Sequence, residues 1–129
     1  MTIELRMLAL AVVLGLLQIV AAAQTASLQR GHRWASGARD AEPPPLTGVA
    51  GRLDRAQRNF LETFPLFAAV VLIAHAAGRH DWTTEWGAQI YLWARVAYVG
   101  LYAAGVPIAR SVAWNVAVLG LVMILWAVQ

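Results

Sequence analysis

The sequence predicts an all-α membrane protein folded as a bundle of four transmembrane helices running up and down, and three observations carry that prediction. Hydrophobic residues make up 60% of the 129-residue chain and charged residues 13%, against about 45–50% and about 25% in an average soluble domain. The charges are also unevenly spread: ten of the seventeen fall between Arg30 and Glu62, which leaves long uncharged runs elsewhere. Four spans of about 20 residues each would use about 80 residues and leave only short connections. Residues 1–129 are therefore read as a single membrane domain.

The first span, about 5–25, lies between Arg6 and Arg30, where nothing is charged and Gln18 alone interrupts the aliphatic run from Met7 to Ala23. A secretory signal peptide is the competing reading, because Arg6, the leucine-rich stretch and Ala21, Ala22 and Ala23 imitate its three regions. The apolar character of the remaining chain argues against it. A polar connection, 28–51, follows. Pro43, Pro44 and Pro45 hold it extended, and Gly48 and Gly51 permit a turn before helix resumes near Arg52. The second span, about 58–78, contains Glu62 as its only acid and Pro65, which frees the Leu61 carbonyl and kinks the helix. Arg79 to Trp86 forms a short link with Trp82 and Trp86 suited to the membrane interface. The third span, about 87–105, carries one charge, Arg95. Gly105-Val106-Pro107 breaks the chain before the fourth, about 109–128. Counting arginines, the first and third connections are expected on the cytoplasmic side of a bacterial inner membrane, with both termini outside the cytoplasm.

Composition removes several function classes. The chain has no cysteine, so thiolate zinc sites, iron–sulfur clusters and a protein thiol nucleophile are excluded. All ten basic residues are arginine, for a net charge of +3, yet they flank apolar runs instead of forming a polar surface interleaved with aromatics, so nucleic acid is not the expected partner. His75 has no second ligand placed near it and reads as a packed or headgroup-facing residue, not a metal ligand.

Two stripes remain. At about 100° per residue, Arg55, Asn59, Glu62 and Leu66 share one narrow face of the second span, with Arg58 beside them, and Tyr91, Arg95, Tyr98 and Tyr102 repeat the offsets on the third. Charge inside a bilayer is costly, about 2.5–3.5 kcal/mol for a central Arg, so Glu62 and Arg95 should have partners. By depth, Arg55, Asn59, Glu62, Tyr98, Tyr102 and Arg110 fall together in the cytoplasmic half. Arg95 lies deeper, as a candidate structural counter-ion. Arginine forks match carboxylates, Asn59 donates and accepts, and Glu62 can receive an ammonium group. Glutathione has two carboxylates, one amine and the sulfur that this chain lacks. A neighbouring guanidinium would favour its thiolate.

The stretch RAQRNFLETFPLF, Arg55 to Phe67, resembles the second-helix signature of the membrane-associated proteins in eicosanoid and glutathione metabolism, the MAPEG family, which includes leukotriene synthases and microsomal glutathione transferases. ARVAYVGLYAAGVPIARS, Ala94 to Ser111, resembles the family's junction of third and fourth helices. Arg39-Asp40, the proline run and Gly51-Arg52-Leu53 look like the first loop of bacterial members. The resemblance implies a homotrimer in contact with membrane lipids, with glutathione between subunits near the cytoplasmic face and a lipophilic small molecule as second substrate. It also implies that Arg55, Asn59 and Glu62, with Arg58 beside them, and Tyr98 hold glutathione, and that Tyr102 and Arg110 serve the thiol. An arginine near the end of the first span joins them, Arg30 or Arg33. Two positions depart from the leukotriene-synthase pattern: Thr63 stands where that branch has tyrosine, and Arg110 follows Tyr102 at a longer spacing.

The expected function is thus a glutathione-dependent membrane transferase or peroxidase acting on lipophilic electrophiles or hydroperoxides. A non-catalytic lipid-binding or scaffold protein of the same fold is the alternative. A small transporter subunit, whose stripes line an interface and hold no ligand, is a weaker third.

Overall fold

Local signals set the helix boundaries. The computed structural model describes residues 1–129 and contains five helices: α1 (Ile3–Arg30), α2 (His32–Ser36), α3 (Gly48–Ala76), α4 (Trp82–Ala104) and α5 (Pro107–Ala127). The Thr2 hydroxyl caps α1 by accepting from the Leu5 N–H at 3.3 Å. Asp81 caps α4 in a reciprocal box, accepting from the backbone of Thr83 and Thr84 while its own N–H donates to the Thr84 hydroxyl. Gly105, at φ 78°, ends α4 in the left-handed region, and Pro107 opens α5 where a missing N–H is harmless.

The first connection is shorter than the expected 28–51. Helix α1 runs on to Arg30, Gly31 at φ 90° breaks it, α2 follows, and α3 starts at Gly48, so irregular chain is confined to 37–47. The polar opening of α3 is helical because it is amphipathic: Ala50, Gly51 and Ala56 are buried while Arg55 and Arg58 face outward. Gly51 is therefore an interior helix residue and not a turn. A Cβ there would stand 3.0 Å from the Leu46 carbonyl.

Helices α1, α3 and α5 are long and apolar enough to cross a membrane by length and composition. The 23-residue α4 falls short in hydropathy because Arg95, Glu85, Gln89 and three tyrosines sit on it. Helices α3 and α4 form the centre; α1 packs on both, α5 packs on both, and α1 and α5 do not meet. The core holds Phe60, Phe67, Val71, Tyr91, Leu92 and Ile124, with Phe67 stacked on Tyr91 at 3.9 Å between ring centroids. Leu16, Leu17, Val20, Leu72, Ile73 and Leu119 face outward. Such an apolar exterior suits hydrocarbon and not water.

Glycines bring α4 and α5 into backbone contact. A Cβ on Gly87 would lie 2.7 Å from the Gly120 carbonyl oxygen, and one on Gly120 would lie 2.6 Å from that of Gly87 and 2.7 Å from the Tyr91 nitrogen. Small residues at helix crossings permit this close approach.

At the opposite end of the bundle from the arginine cluster, Glu4 is buried, accepts from the Thr84 hydroxyl at 2.6 Å and lies 3.4 Å from His80 Nδ1. This links α1 to the start of α4. Thr84→Val keeps the shape and removes the donor, so it is expected to destabilise the fold by about 1.5–3 kcal/mol. Thermal unfolding in detergent checks this; an unchanged midpoint would show the bond to be dispensable.

Candidate functional site

Where α3 begins, α4 ends and α5 begins, the three helices border an open cavity of about 570 Å³. Arg55, Arg58, Asn59 and Glu62 reach it from α3, Tyr98 and Tyr102 from α4, and Arg110, Ser111, Trp114 and Asn115 from α5. The helical offsets that put Arg55, Asn59 and Glu62 on one face bring them into one wall, while Leu66, a turn further on, points outward at 59% exposure.

Tyr102 organises the mouth. Arg55 Nε donates to its hydroxyl oxygen at 3.0 Å, and Arg110 Cζ lies 4.5 Å from its ring centroid. Two guanidinium groups thus share one aromatic ring, whose negative face offsets part of their repulsion. Because the Tyr102 oxygen accepts from Arg55, its own hydrogen is left to donate elsewhere. Arg110 lies on the first turn of α5, just after the left-handed turn at Gly105, and its guanidinium reaches the cavity. Arg52 Nε donates to the Ala103 carbonyl at 3.0 Å and ties the start of α3 to the end of α4.

Glu62 departs from expectation. It lines the cavity, yet the chain's two ion pairs, Arg58–Asp54 at 3.1 Å and His80–Glu4, do not involve it. Neither Arg55 nor Arg95 lies within ion-pair distance of it, so its carboxylate is available to a ligand cation. Arg95 has no carboxylate partner either. It is fully buried, its Nη1 donates to Asn59 Oδ1 at 2.9 Å, and its Cζ lies 4.3 Å from the Tyr98 ring. Nε and Nη2 have no partner. The residue is therefore a backing group that holds Asn59 and Tyr98 in place, not a counter-ion hydrogen-bonded to Glu62.

Some expected residues stand apart. Arg33 is exposed on α2 and does not reach the cavity, because α2 turns away from α1 at Gly31. Arg30 also lies elsewhere, beside Trp34. Thr63 turns toward the core, its hydroxyl 2.9 Å from that of Tyr91, and does not line the cavity. His75 is exposed, with its ring centroid 5.5 Å from that of His80. Ser111, Trp114 and Asn115 line the cavity without having been expected there. The i, i+4 rule that groups the α3 residues also pairs Arg110 with Trp114 and Ser111 with Asn115, and applying it to α5 would have found them.

Arg55 and Arg110, neither in an ion pair, with Arg58, which is paired with Asp54, and the unpaired Glu62 give the cavity a positive balance. That set suits an anion that also carries an amine. Among curated proteins, none matches this chain. The model of the MAPEG family, however, matches residues 7–128, a stretch that takes in the whole cavity, and the chain belongs to that family of membrane proteins.

Proposed function

We propose that this protein is a glutathione-dependent transferase or peroxidase acting on lipophilic electrophiles or hydroperoxides, and that it works as a homotrimer of four-span subunits. The observation that supports it most is the charge arrangement of one cavity: Arg55, Arg58 and Arg110 around a Glu62 with no partner of its own. Arg55 and Arg58 would take the carboxylates, Glu62 the ammonium, and Asn59, with Arg95 behind it, a backbone amide. Glutathione would supply the nucleophilic sulfur. Arg110 supplies positive charge beside it, and the Tyr102 hydroxyl can donate to it. The arginines flanking the first connection, Arg30, Arg33, Arg39, Arg52, Arg55 and Arg58, favour a cytoplasmic position for this end. Arg33 joins only by reaching from a neighbouring subunit.

Calorimetry on the detergent-purified protein should detect glutathione binding. Glu62→Ala should weaken it about tenfold or more, equivalent to about 1.4 kcal/mol; unchanged affinity would refute the site. A non-catalytic lipid-binding or scaffold role is the second reading. It is favoured by a groove on α1 and α3, lined by Gly15, Leu16, Ile19, Phe60 and Phe64, with no polar surface. Glutathione binding without turnover of a chromogenic aryl halide would favour that reading.

A further inference from the structure

A second cavity, of about 150 Å³, lies where α1 ends and the first connection begins, on different side chains from the arginine cavity. Its floor is Ala23 and Ala26 of α1; its rim is Ser27, Arg30, Trp34 and Arg39. The two guanidinium groups stack against the same indole, Arg30 at 5.1 Å and Arg39 at 5.3 Å from the Trp34 ring centroid. No carboxylate neutralises them, since the chain's ion pairs lie elsewhere. Their hydrogen bonds go to main-chain carbonyls: Arg30 Nε to Pro44 at 2.9 Å, and Arg39 Nε and Nη2 to Ala35 at 3.1 and 2.6 Å. Both Nη atoms of Arg30 and Nη1 of Arg39 make no hydrogen bond within the chain.

Arg39 is also the chain's only non-glycine residue with positive φ, at 60°. That conformation is unfavourable for an arginine, so the fold holds it against its backbone preference, and strain of this kind concentrates at ligand sites. Below the cavity, Leu16, Val20, Ala23, Ser27 and Arg30 follow one another on a single stripe of α1. Leu16 and Val20 are exposed, at 58% and 56%. The stripe passes from aliphatic surface, through small residues, to two cationic forks and an interfacial tryptophan.

We propose that this cavity binds a phosphate ester anion, and that its source is the headgroup of an anionic phospholipid. Arg30 and Arg39 grip the phosphate oxygens, the glycerol rests on Ala23 and Ala26, and one acyl chain lies along Leu16 and Val20. The test uses no glutathione, so its outcome is distinguishable from that of the glutathione reading.

The probe is phosphatidylglycerol added to the full chain in detergent, compared with phosphatidylcholine and with soluble glycerol 3-phosphate at matched concentration. Phosphatidylglycerol is expected to raise the thermal midpoint and phosphatidylcholine is not. Arg39→Gly removes one fork and suits the positive φ, so this variant folds at least as well without lipid and is expected to bind phosphatidylglycerol about fivefold more weakly. Arg39→Lys keeps the charge without the fork and should fall between. A midpoint shift of equal size in wild type and Arg39→Gly, or no shift in wild type, would overturn the site. The same shift with glycerol 3-phosphate would overturn the lipid source.

Discussion

Replacing Arg110 with alanine is expected to slow thiolate formation from bound glutathione about a hundredfold, while affinity for the tripeptide changes far less. The size follows from removing one preorganised charged group from a site where negative charge develops, a loss of about 10²–10³ in rate in comparable cases. The division between rate and affinity follows from position. Arg110 stacks on Tyr102 at the start of α5, whereas the groups suited to the carboxylates and ammonium stand on α3. A free thiol titrates near pH 8.5, and a guanidinium beside it stabilises the charged form and lowers that value. The wild-type rate should therefore be sustained at lower pH, and Arg110→Ala should shift the profile toward alkaline pH. Stopped-flow ultraviolet absorbance of the thiolate, recorded across pH, measures both. An unchanged rate and profile would remove Arg110 from the chemistry.

Gly120→Leu is expected to cost about 3 kcal/mol or more, over a hundredfold in the ratio of folded to unfolded protein. Even a Cβ at that position would meet main-chain atoms, 2.6 Å from the Gly87 oxygen and 2.7 Å from the Tyr91 nitrogen, and backbone cannot move aside as a flexible side chain can. Relief requires α4 and α5 to separate, which would shift the helix that carries Arg95, Tyr98 and Tyr102. Glutathione binding should fall together with stability. Gly100→Ala is the control: nothing lies within 4 Å of its added Cβ, and alanine is the better helix former by about 1 kcal/mol. Thermal midpoints of the two variants should move in opposite directions, and equal midpoints would show that the crossing tolerates a side chain.

Much of this architecture could be read from charge spacing. The gaps around Glu62 and Arg95 located the helices, Gly105 and Pro107 located their sharpest turn, and the four- and three-residue offsets put Arg55, Asn59 and Glu62 on one wall with the tyrosines opposite. What escaped depends on contacts between distant segments. Hydropathy marks where apolar residues begin, so it placed the second span near 58; helix was expected from near Arg52, and the opening turn from Gly48 to Gly51 escaped. Charges in hydrocarbon call for partners, and Arg95 read as a structural counter-ion, but Asn59 and the Tyr98 ring occupy its guanidinium instead. Nothing in the spacing of Gly87 and Gly120 reveals that their backbones touch, nor that Thr84 holds Glu4 from eighty residues away. Arg33 looked equivalent to its neighbours because a single glycine, Gly31, decides which way the following turn points.

The enclosed guanidinium of Arg95 also bears on biogenesis. Taken alone, α4 is a poor substrate for the insertion machinery, since one arginine near the middle of a helix adds about 2.5–3.5 kcal/mol to its partitioning into lipid. Its closest companion, α5, is among the most apolar segments of the chain and is joined to it by a two-residue turn. The two are therefore expected to enter the bilayer as a pair, the second segment drawing in the first, with α3 closing over the arginine afterwards. A ribosome-bound intermediate truncated before α5 would leave α4 on the watery side.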